Sequence, residues 1–333
     1  MRPAPKIVSR ILDALRDRRR ICVVGHMRPD GDCIGSQVGL ALALRDTGRK
    51  VTCWNQDRVP HKLSFLVPAG LMQQPRAGCA FDAVIATDCA SFERLGTVGR
   101  HIPESESGRV FINIDHHESN TRYADINWVS GREPSTGELI FRLLKAANWP
   151  ITPAIADCLF TAVSTDTGSF QYPSTRPATY HVAAELVKRG ANLARICHEV
   201  YQSFPVSRMK LLRHVYNHFH LADSDRIAWV RLRKSDYART GADPADSEGI
   251  IDHIRDIEPV VVACVFEDAE PGLTRISLRS KLAAVNVNEV AALFGGGGHQ
   301  AAAGARIRGN PLTIQRRVLA AIKKSIAAAR NDQ

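Results

Sequence analysis

Short apolar segments that run directly into carboxylates and imidazoles constrain this chain more than any other feature of its sequence. The apolar run at 110–114 leads into Asp115, His116 and His117, and the run at 21–25 leads into His26. In an open α/β sheet, ligands bind at the edge formed by the carboxyl ends of the strands. One such strand end could simply carry polar residues into a loop, but the pattern recurs in four segments. It predicts a single site built from His26, Asp30, Asp32, Asp88, Asp115, His116, His117 and Asp166.

Helical segments alternate with these apolar strands and predict the fold class. Residues 34–47, 134–147 and 153–164 carry apolar side chains in helical patterns, and further strands are expected near 51–54 and 83–88. Such alternation is typical of a doubly wound, mainly parallel α/β sheet. We expect residues 1–180 to form this domain and to carry the catalytic metal site.

The pattern changes twice beyond the first domain. Residues 181–222 are helical without clear strands, and we expect a linker with a break at Ser203-Phe204-Pro205. Residues 223–330 are expected to form a smaller α/β substrate-binding domain. Four glycines at 295–298 are followed there by His299. Because glycine lets backbone N–H groups approach an anion closely, we interpret this run as an anion-binding loop, after which small residues open the next helix.

The composition of the chain indicates which class of partner the protein binds and in which compartment it works. The formal charge of +10 favours a polyanionic partner such as a nucleotide or a nucleic acid. The eight cysteines form no C-x-x-C pair, so we expect buried, reduced thiols and neither disulfides nor zinc ligands. No apolar segment approaches the length of a membrane span, and the N-terminus predicts an amphipathic helix without a signal core. We therefore expect a cytoplasmic protein that does not associate with a membrane.

The predicted cluster of acids and imidazoles indicates a metal centre. Carboxylates and imidazoles without thiolates suit Mn²⁺ or Mg²⁺. Crowded carboxylates would repel one another unless cations neutralised them. Two ions about 3.5–4 Å apart, bridged by a carboxylate and a hydroxide, would use such a set, and the hydroxide would attack phosphorus in line. The chemistry indicated is metal-dependent hydrolysis of a phosphate ester.

Four motifs in this chain resemble those of the DHH phosphoesterases, in the same order: HMRPDGD, TDCASFERLG, IDHHESN and STDTGSF. The tail segments RISLRSK and NVNEVAALFGGGGHQAAAGARI resemble the DHHA1 substrate domain. The two-domain length is similar to that of the subgroup of nanoRNases that also act on 3′-phosphoadenosine 5′-phosphate (pAp). One departure lies beside the first motif, where Cys33 stands in place of the alanine of many relatives.

This resemblance implies a role for each residue of the predicted metal site. One ion would be bound by His26, Asp30 and Asp88, and a second by Asp32, Asp88, His116 and Asp166, with Asp88 bridging. Asp115 would orient a histidine, as outer-sphere carboxylates do. His117 would face the scissile phosphate, so the catalytic residues would be Asp88, Asp115 and His117. Two Mn²⁺ ions per active site are expected, with Mg²⁺ as the alternative.

The resemblance also implies how the tail binds substrate. The far phosphate and the base would be held by Arg279, Ser280, Gly296, Gly297, Gly298 and His299. Arginine suits a bidentate contact with phosphate. A fixed spacing between this pocket and the metal ions would favour short substrates. The expected partners are therefore short RNA oligonucleotides and pAp, and the protein itself is expected to be a homodimer.

The activity implied is hydrolysis of very short oligoribonucleotides to 5′-mononucleotides and dephosphorylation of pAp to AMP. An alternative that uses the same parts is a phosphodiesterase for cyclic dinucleotides or their linear products, pApA and pGpG. A processive exonuclease would need further domains, and a manganese pyrophosphatase would lack the GGGGH tail. The non-enzymatic alternative is a nucleotide-binding regulator, which would have lost metal ligands. Here every ligand of the four motifs is present.

Overall fold

The structure, a computed structural model, describes residues 6–102 and 108–331 and divides into two compact units between Ser203 and Phe204. Each unit contains one sheet with helices packed against it, so the predicted α/β class is confirmed. The division lies at the predicted break within the segment 181–222. In the described residues, no helix has both the length and the apolar character needed to cross a membrane.

The first unit alternates strands and helices over most of its length. Its α-helices and strands are α1 (Lys6–Leu15), β1 (Arg20–Val24), α2 (Gly31–Asp46), β2 (Lys50–Trp54), β3 (Met72–Gln73), β4 (Ala83–Thr87), β5 (Val110–Asp115), β6 (Ile126–Val129), α3 (Thr136–Ala146), α4 (Pro153–Asp166), α5 (Pro177–Lys188) and α6 (Leu193–Cys197). Two 3₁₀ segments, His61–Leu66 and Phe92–His101, and a π-helical turn, His198–Gln202, complete it.

The sheet of the first unit is parallel throughout, with the strand order β3-β2-β1-β4-β5-β6. Alternate residues of its central strands belong to different core clusters: Val23 and Ile85 pack on one face, whereas Val24 and Val84 pack on the other. A parallel sheet buried on both faces is what apolar runs of this kind favour. The order reverses between β1 and β4, and in doubly wound folds such a switch point opens a crevice at the carboxyl ends of the strands.

Close packing between helices α2, α3 and α4 aligns the ends that reach this crevice. A Cβ atom on Gly35 of α2 would lie 2.4 Å from the carbonyl oxygen of Cys158 in α4. A Cβ atom on Gly137 of α3 would lie 2.5 Å from the side chain of Ala162 in α4. The glycines therefore allow backbones to approach more closely than larger residues would permit. As a result, the N-termini of α2 and α3 and the C-terminus of α4 meet at one place.

The second unit has a mixed sheet. Its α-helices and strands are α7 (Val206–His218), β7 (His220–Ala222), β8 (Ile227–Leu232), α8 (Lys234–Thr240), α9 (Ile250–Arg255), β9 (Val262–Glu270), β10 (Leu273–Ser280), α10 (Val287–Ala292), β11 (Gly297–His299), β12 (Ala302–Arg308) and α11 (Pro311–Asn331). The strand order is β11-β12-β10-β9-β8-β7, in which β8 and β9 are parallel and the other pairs are antiparallel.

The glycine run differs from its prediction. Gly297, Gly298 and His299 form β11, which pairs with β12, so the small residues after the run continue as a strand and the expected helix is wrong. A Cβ atom on Gly296 would lie 2.1 Å from the carbonyl oxygen of Gly304, and Gly298 has a φ of +150°. The glycines are therefore needed for the close pairing of two strands, and alanine-rich composition alone did not distinguish a strand from a helix.

Candidate active site

Acidic and imidazole side chains from separate elements converge at the switch point of the first sheet. His26 follows β1, Asp88 follows β4, and Asp115 ends β5 with His116 directly after it. All four are almost completely buried, with exposed fractions of 0–3%. Ionisable groups are rarely this buried unless they are paired or bind a metal. The arrangement therefore marks this edge as a site with a chemical role.

Asp88 lies at the centre of the cluster. Its Oδ2 is 3.3 Å from Nε2 of His26, and its Oδ1 is 3.5 Å from Nε2 of His116. The Thr136 hydroxyl donates a hydrogen bond of 3.2 Å to the same Oδ1. Asp88 also has a φ of +55°, a region that non-glycine residues enter at a cost. The strained backbone directs the two carboxylate oxygens toward two different histidines.

The first of these histidines, His26, forms one group with Asp30 and Asp88. Its Nε2 lies 3.8 Å from Oδ1 of Asp30, and its Nδ1 lies 2.9 Å from the carbonyl oxygen of Met27. Because a carbonyl can only accept, Nδ1 donates its proton there and Nε2 is directed to the acids. Burial alone lowers the pKa of His26, yet neighbours that include Cys33, Asp30 and Asp88 outweigh this effect and hold the pKa well above its usual range.

The second histidine, His116, forms a matching group. Its Nε2 lies 3.2 Å from Asp166, 3.5 Å from Asp88 and 3.6 Å from Asp32. Its Nδ1 faces the carbonyl oxygen of Glu133 at 3.3 Å, so this ring also turns Nε2 toward carboxylates. Burial lowers the pKa of His116, but Asp166, Asp88 and Asp32 outweigh it and leave the pKa well above the usual value.

Asp32 joins the cluster at the N-terminus of α3. Its two oxygens accept hydrogen bonds from the backbone N–H of Thr136 at 2.7 Å and of Gly137 at 2.8 Å. Burial, together with the nearby Asp88 and Asp166 carboxylates, nevertheless raises the pKa of Asp32 well above its usual range. Burial likewise raises the pKa of Asp166 to about 6. The helix terminus alone does not compensate this much negative charge, and bound cations would.

His117 is oriented by Asp115. Its Nδ1 donates to Oδ1 of Asp115 at 2.8 Å, and Asn120 donates to the other oxygen of that carboxylate at 2.6 Å. Asp115 is fully buried, whereas the side chain of His117 is 12% exposed. The acid therefore orients an imidazole at the border of the pocket, and that imidazole belongs to His117.

A buried network behind His116 has no counterpart in the sequence predictions. Arg142 bonds to Glu133 at 2.6 Å and to the fully buried Glu138 at 2.5 Å, and Thr179 donates to Glu138 at 3.1 Å. Since the carbonyl of Glu133 accepts from His116, this network supports the imidazole. The opposite charges of Glu138 and Arg142, four residues apart in a predicted helix, were the available signal in the sequence.

In the second unit, Arg279 and His299 are in register with each other across the sheet. Arg279 of β10 and His299 of β11 both pair with Ala302 of the intervening β12. Paired residues of antiparallel strands share a face, so these two side chains lie on the same face, with Cα atoms about 10 Å apart. Gly297 and Gly298 lie beside them in β11. The structure thus brings together most of the predicted substrate-binding residues.

Ser280 lies apart from these residues. It follows Arg279 directly in β10 and so points to the opposite face of the strand, where it is buried. Its hydroxyl donates to the carbonyl oxygen of Leu282 at 2.8 Å and stabilises the turn that leaves the strand. Arg275, which shares the face of Arg279 and pairs with Glu267 at 2.9 Å, was not predicted as part of this surface.

Comparison with known proteins identifies relatives of both units. The family model described as "DHH family, N-terminal domain" matches residues 20–163, and the model described as "DHHA1 domain" matches residues 228–328. The chain is 31% identical to the bifunctional oligoribonuclease and PAP phosphatase NrnA of Thermus thermophilus over 326 residues, which cover 97% of this chain and 95% of that protein. The Bacillus subtilis protein of the same name is 28% identical and is matched over 85% of this chain and 87% of its own length.

Solved structures agree with these matches. The crystal structure of an exopolyphosphatase-related protein from Bacteroides fragilis superimposes with a TM-score of 0.86 at 25% identity, covering 97% of each chain. RecJ of Thermus thermophilus, solved in complex with Mn²⁺, has a TM-score of 0.52 at 14% identity and shares the fold, with 98% of this chain matching 54% of that one.

Proposed function

Because this chain belongs to the DHH family and carries a DHHA1 domain, we propose that it is a metal-dependent phosphoesterase of very short RNA. It hydrolyses oligoribonucleotides of a few residues to 5′-mononucleotides and converts pAp to AMP. The relatives named as oligoribonuclease and PAP phosphatase match nearly the full length of the chain, which supports the same pair of substrates here. The family predicted from the four motifs is confirmed.

One observation carries the proposal: the two oxygens of Asp88 are directed to two different histidine groups. In our proposal His26, Asp30 and Asp88 hold one divalent cation, and Asp32, Asp88, His116 and Asp166 hold the other. The residues fit such ions, since both histidines turn Nε2 inward and the buried acids lack enough counter-charge. When bound, the ions would activate water and offset the charge of the phosphoryl group. Mn²⁺ is the proposed ion, and Mg²⁺ suits the same oxygen-rich set.

The chain's own residues then position the substrate. The hydrogen bond to Asp115 fixes the His117 ring, so Nε2 is the ring atom that would meet the scissile phosphate. In the second unit, Arg279 would contact the far phosphate, and His299 with the adjoining glycine strand would contact the base. Because Arg279 and His299 are in register across the sheet, they support a single surface that contacts the substrate. Ser280 is left out of it, because its hydroxyl is bonded within a turn.

We further propose a cytoplasmic homodimer. The cysteines of the described residues are unpaired and most of them are buried, which suits a reducing compartment. On α7, Val206 and Met209 expose 71% and 46% of their surface, which a second copy could cover. Light scattering coupled to gel filtration would give the oligomeric state, and a monomer at all concentrations would contradict the dimer.

A substrate panel tests the proposed activity. The purified protein with Mn²⁺ is incubated with pAp, RNA dinucleotides and trinucleotides, long single-stranded RNA, cyclic di-AMP and pApA. We expect turnover of pAp and the shortest RNAs, and little of long RNA. Equal turnover of long and short RNA would contradict the preference for short substrates. Turnover of cyclic di-AMP alone would favour the cyclic-dinucleotide alternative, and no turnover despite bound metal would favour a nucleotide-binding regulator.

A further inference from the structure

A cysteine lies inside the first of the two histidine groups. The sulfur of Cys33, a ring nitrogen of His26 and a carboxylate oxygen of Asp88 all lie within 4.8 Å of one another. All three side chains are buried, with exposed fractions of 0–2%. In the sequence, Cys33 was noted only as a replacement for alanine, and thiolates were assigned no part in metal binding.

The position of the sulfur is set by its surroundings. Cys33 is in the first turn of α2, and its backbone N–H donates to the capping carboxylate of Asp30 at 3.0 Å. Its side chain lies against the backbone of Gly25, where an added Cβ atom would be 2.4 Å from Sγ. Gly25 therefore leaves room for the sulfur directly beside the residue that precedes His26. The cap and the strand together hold the thiol next to the imidazole.

We propose that Cys33 is a further ligand of the cation held by His26 and Asp88, which makes this position a mixed nitrogen, oxygen and sulfur site. A tetrahedral ion with bonds of about 2.1 Å to nitrogen and 2.3 Å to sulfur places those two ligand atoms about 3.6 Å apart. Because the ligand atoms of this group all lie within 4.8 Å of one another, they reach that spacing with side-chain movements of at most about 1.2 Å. The inference rests on the proposed function, because it adds a ligand to a cation site of that function.

The consequence is a difference in metal preference between the two groups. On binding, the thiol releases its proton to solvent and the sulfur forms a bond to the cation. Thiolate favours softer ions such as Zn²⁺, Cd²⁺ and Co²⁺, whereas Mn²⁺ and Mg²⁺ favour oxygen. The group of Asp32, Asp166 and His116 offers oxygen and nitrogen only. Soft ions should therefore enter the His26 group first and bind there more tightly than Mn²⁺.

Titration of the metal-free protein with Co²⁺ tests the proposal by absorption spectroscopy. We expect visible d–d bands together with a near-ultraviolet thiolate-to-Co²⁺ charge-transfer band at the first equivalent. Cys33→Ala should keep d–d bands and lose the charge-transfer band. Cys22→Ala is the matched control, because Cys22 is also fully buried and lies on β1, the strand before His26. It should leave both sets of bands unchanged.

Calorimetry with Cd²⁺ supplies a second measurement. Cys33→Ala should weaken Cd²⁺ binding by at least about tenfold, because loss of even an outer-sphere partner lowers metal affinity by about that factor. Mn²⁺ affinity should change much less. If the Cys33→Ala variant does not fold, Cys33→Ser takes its place. The parent protein alone also tests the proposal, because its Co²⁺ complex either shows the charge-transfer band or lacks it. Co²⁺ binding with d–d bands but no charge-transfer band would overturn the role of Cys33 only. Failure to bind Co²⁺ at all would overturn the cation sites themselves.

Discussion

Replacing Asp88 with asparagine should weaken both metal-binding steps at once. The substitution keeps the size of the side chain but removes the charge that faces His26 at 3.3 Å and His116 at 3.5 Å. Asparagine is also among the residues that best tolerate the φ of +55° at this position, whereas alanine would add backbone strain of about 1–2 kcal/mol. Asp88→Asn therefore isolates the electrostatic effect, which Asp88→Ala would not.

The size of the effect follows from the geometry. Loss of even an outer-sphere partner weakens metal binding by about 10–100-fold. Because each oxygen of Asp88 serves a different group, two such losses multiply to about 10²–10⁴ for the pair of ions. This corresponds to about 3–6 kcal/mol. Asp166, in contrast, is assigned to the His116 group alone in our proposal and lies 3.2 Å from Nε2 of that histidine, so Asp166→Asn should affect a single step.

Calorimetric titration of the metal-free proteins with Mn²⁺ provides the assay. The parent should bind two ions, Asp166→Asn should lose affinity in one step, and Asp88→Asn should lose affinity in both. Hydrolysis of pAp at increasing Mn²⁺ then reports whether excess metal restores activity. Two parental affinities in Asp88→Asn, or an equal loss of one step in both variants, would refute the bridging position.

Three further predictions concern substrate, protons and packing. Arg279→Ala should raise the KM for pAp by about 10–100-fold, since a charged hydrogen bond contributes about 1.5–3 kcal/mol. The kcat should stay nearly unchanged, and a fall in kcat alone would contradict the proposed role. Mn²⁺ affinity should rise with pH above about 6.5, because acidic neighbours raise the pKa of His26 and His116 and a bound ion must displace their protons. Calorimetry in two buffers of different ionisation enthalpy measures the protons released on binding. Proton uptake would contradict the prediction. Gly35→Ala should lower the free energy of unfolding by about 1–3 kcal/mol and weaken Mn²⁺ binding, because the added Cβ would lie 2.4 Å from the carbonyl oxygen of Cys158. Gly39→Ala should cost less in urea denaturation, because its Cβ would meet side-chain atoms of Leu159 at 3.0 Å and of Cys158 at 3.4 Å. Equal costs would refute the packing argument.

Much of the first unit was predictable, because its strands are continuous apolar runs and its helices are bounded by clear caps. The strands β3, β6 and β7 were missed. They are only two to four residues long, and too few residues remain to establish a period of two. The hairpin of β11 and β12 was mistaken because glycine and alanine carry no side-chain pattern. Its identity depends on the clearance between Gly296 and Gly304, a tertiary property.

The convergence of the acidic and imidazole residues was predictable from the sequence, but their detailed arrangement was not. Composition and spacing indicate that carboxylates and imidazoles gather at one sheet edge. They do not reveal that Asp88 adopts a positive φ, or that Cys33 lies within the His26 group. Both features arise from how α2 and β4 are packed, since a side chain's direction depends on the backbone that holds it. The face of the strand on which Ser280 lies was not predictable for the same reason, because its place in the motif specifies no face.

Helix packing away from the pocket therefore determines the pocket's chemistry. Asp32 enters the cluster only because α2 approaches α3 closely enough for the backbone N–H groups of Thr136 and Gly137 to reach its carboxylate. The same end of α3 also packs closely on α4, since an added Cβ atom on Gly137 would lie 2.5 Å from the side chain of Ala162. A buried acid held by two helix-terminal donors keeps its position whether or not a cation is bound. The proposed second cation would therefore meet a ligand that the backbone already holds in place, which reduces the reorganisation required for binding.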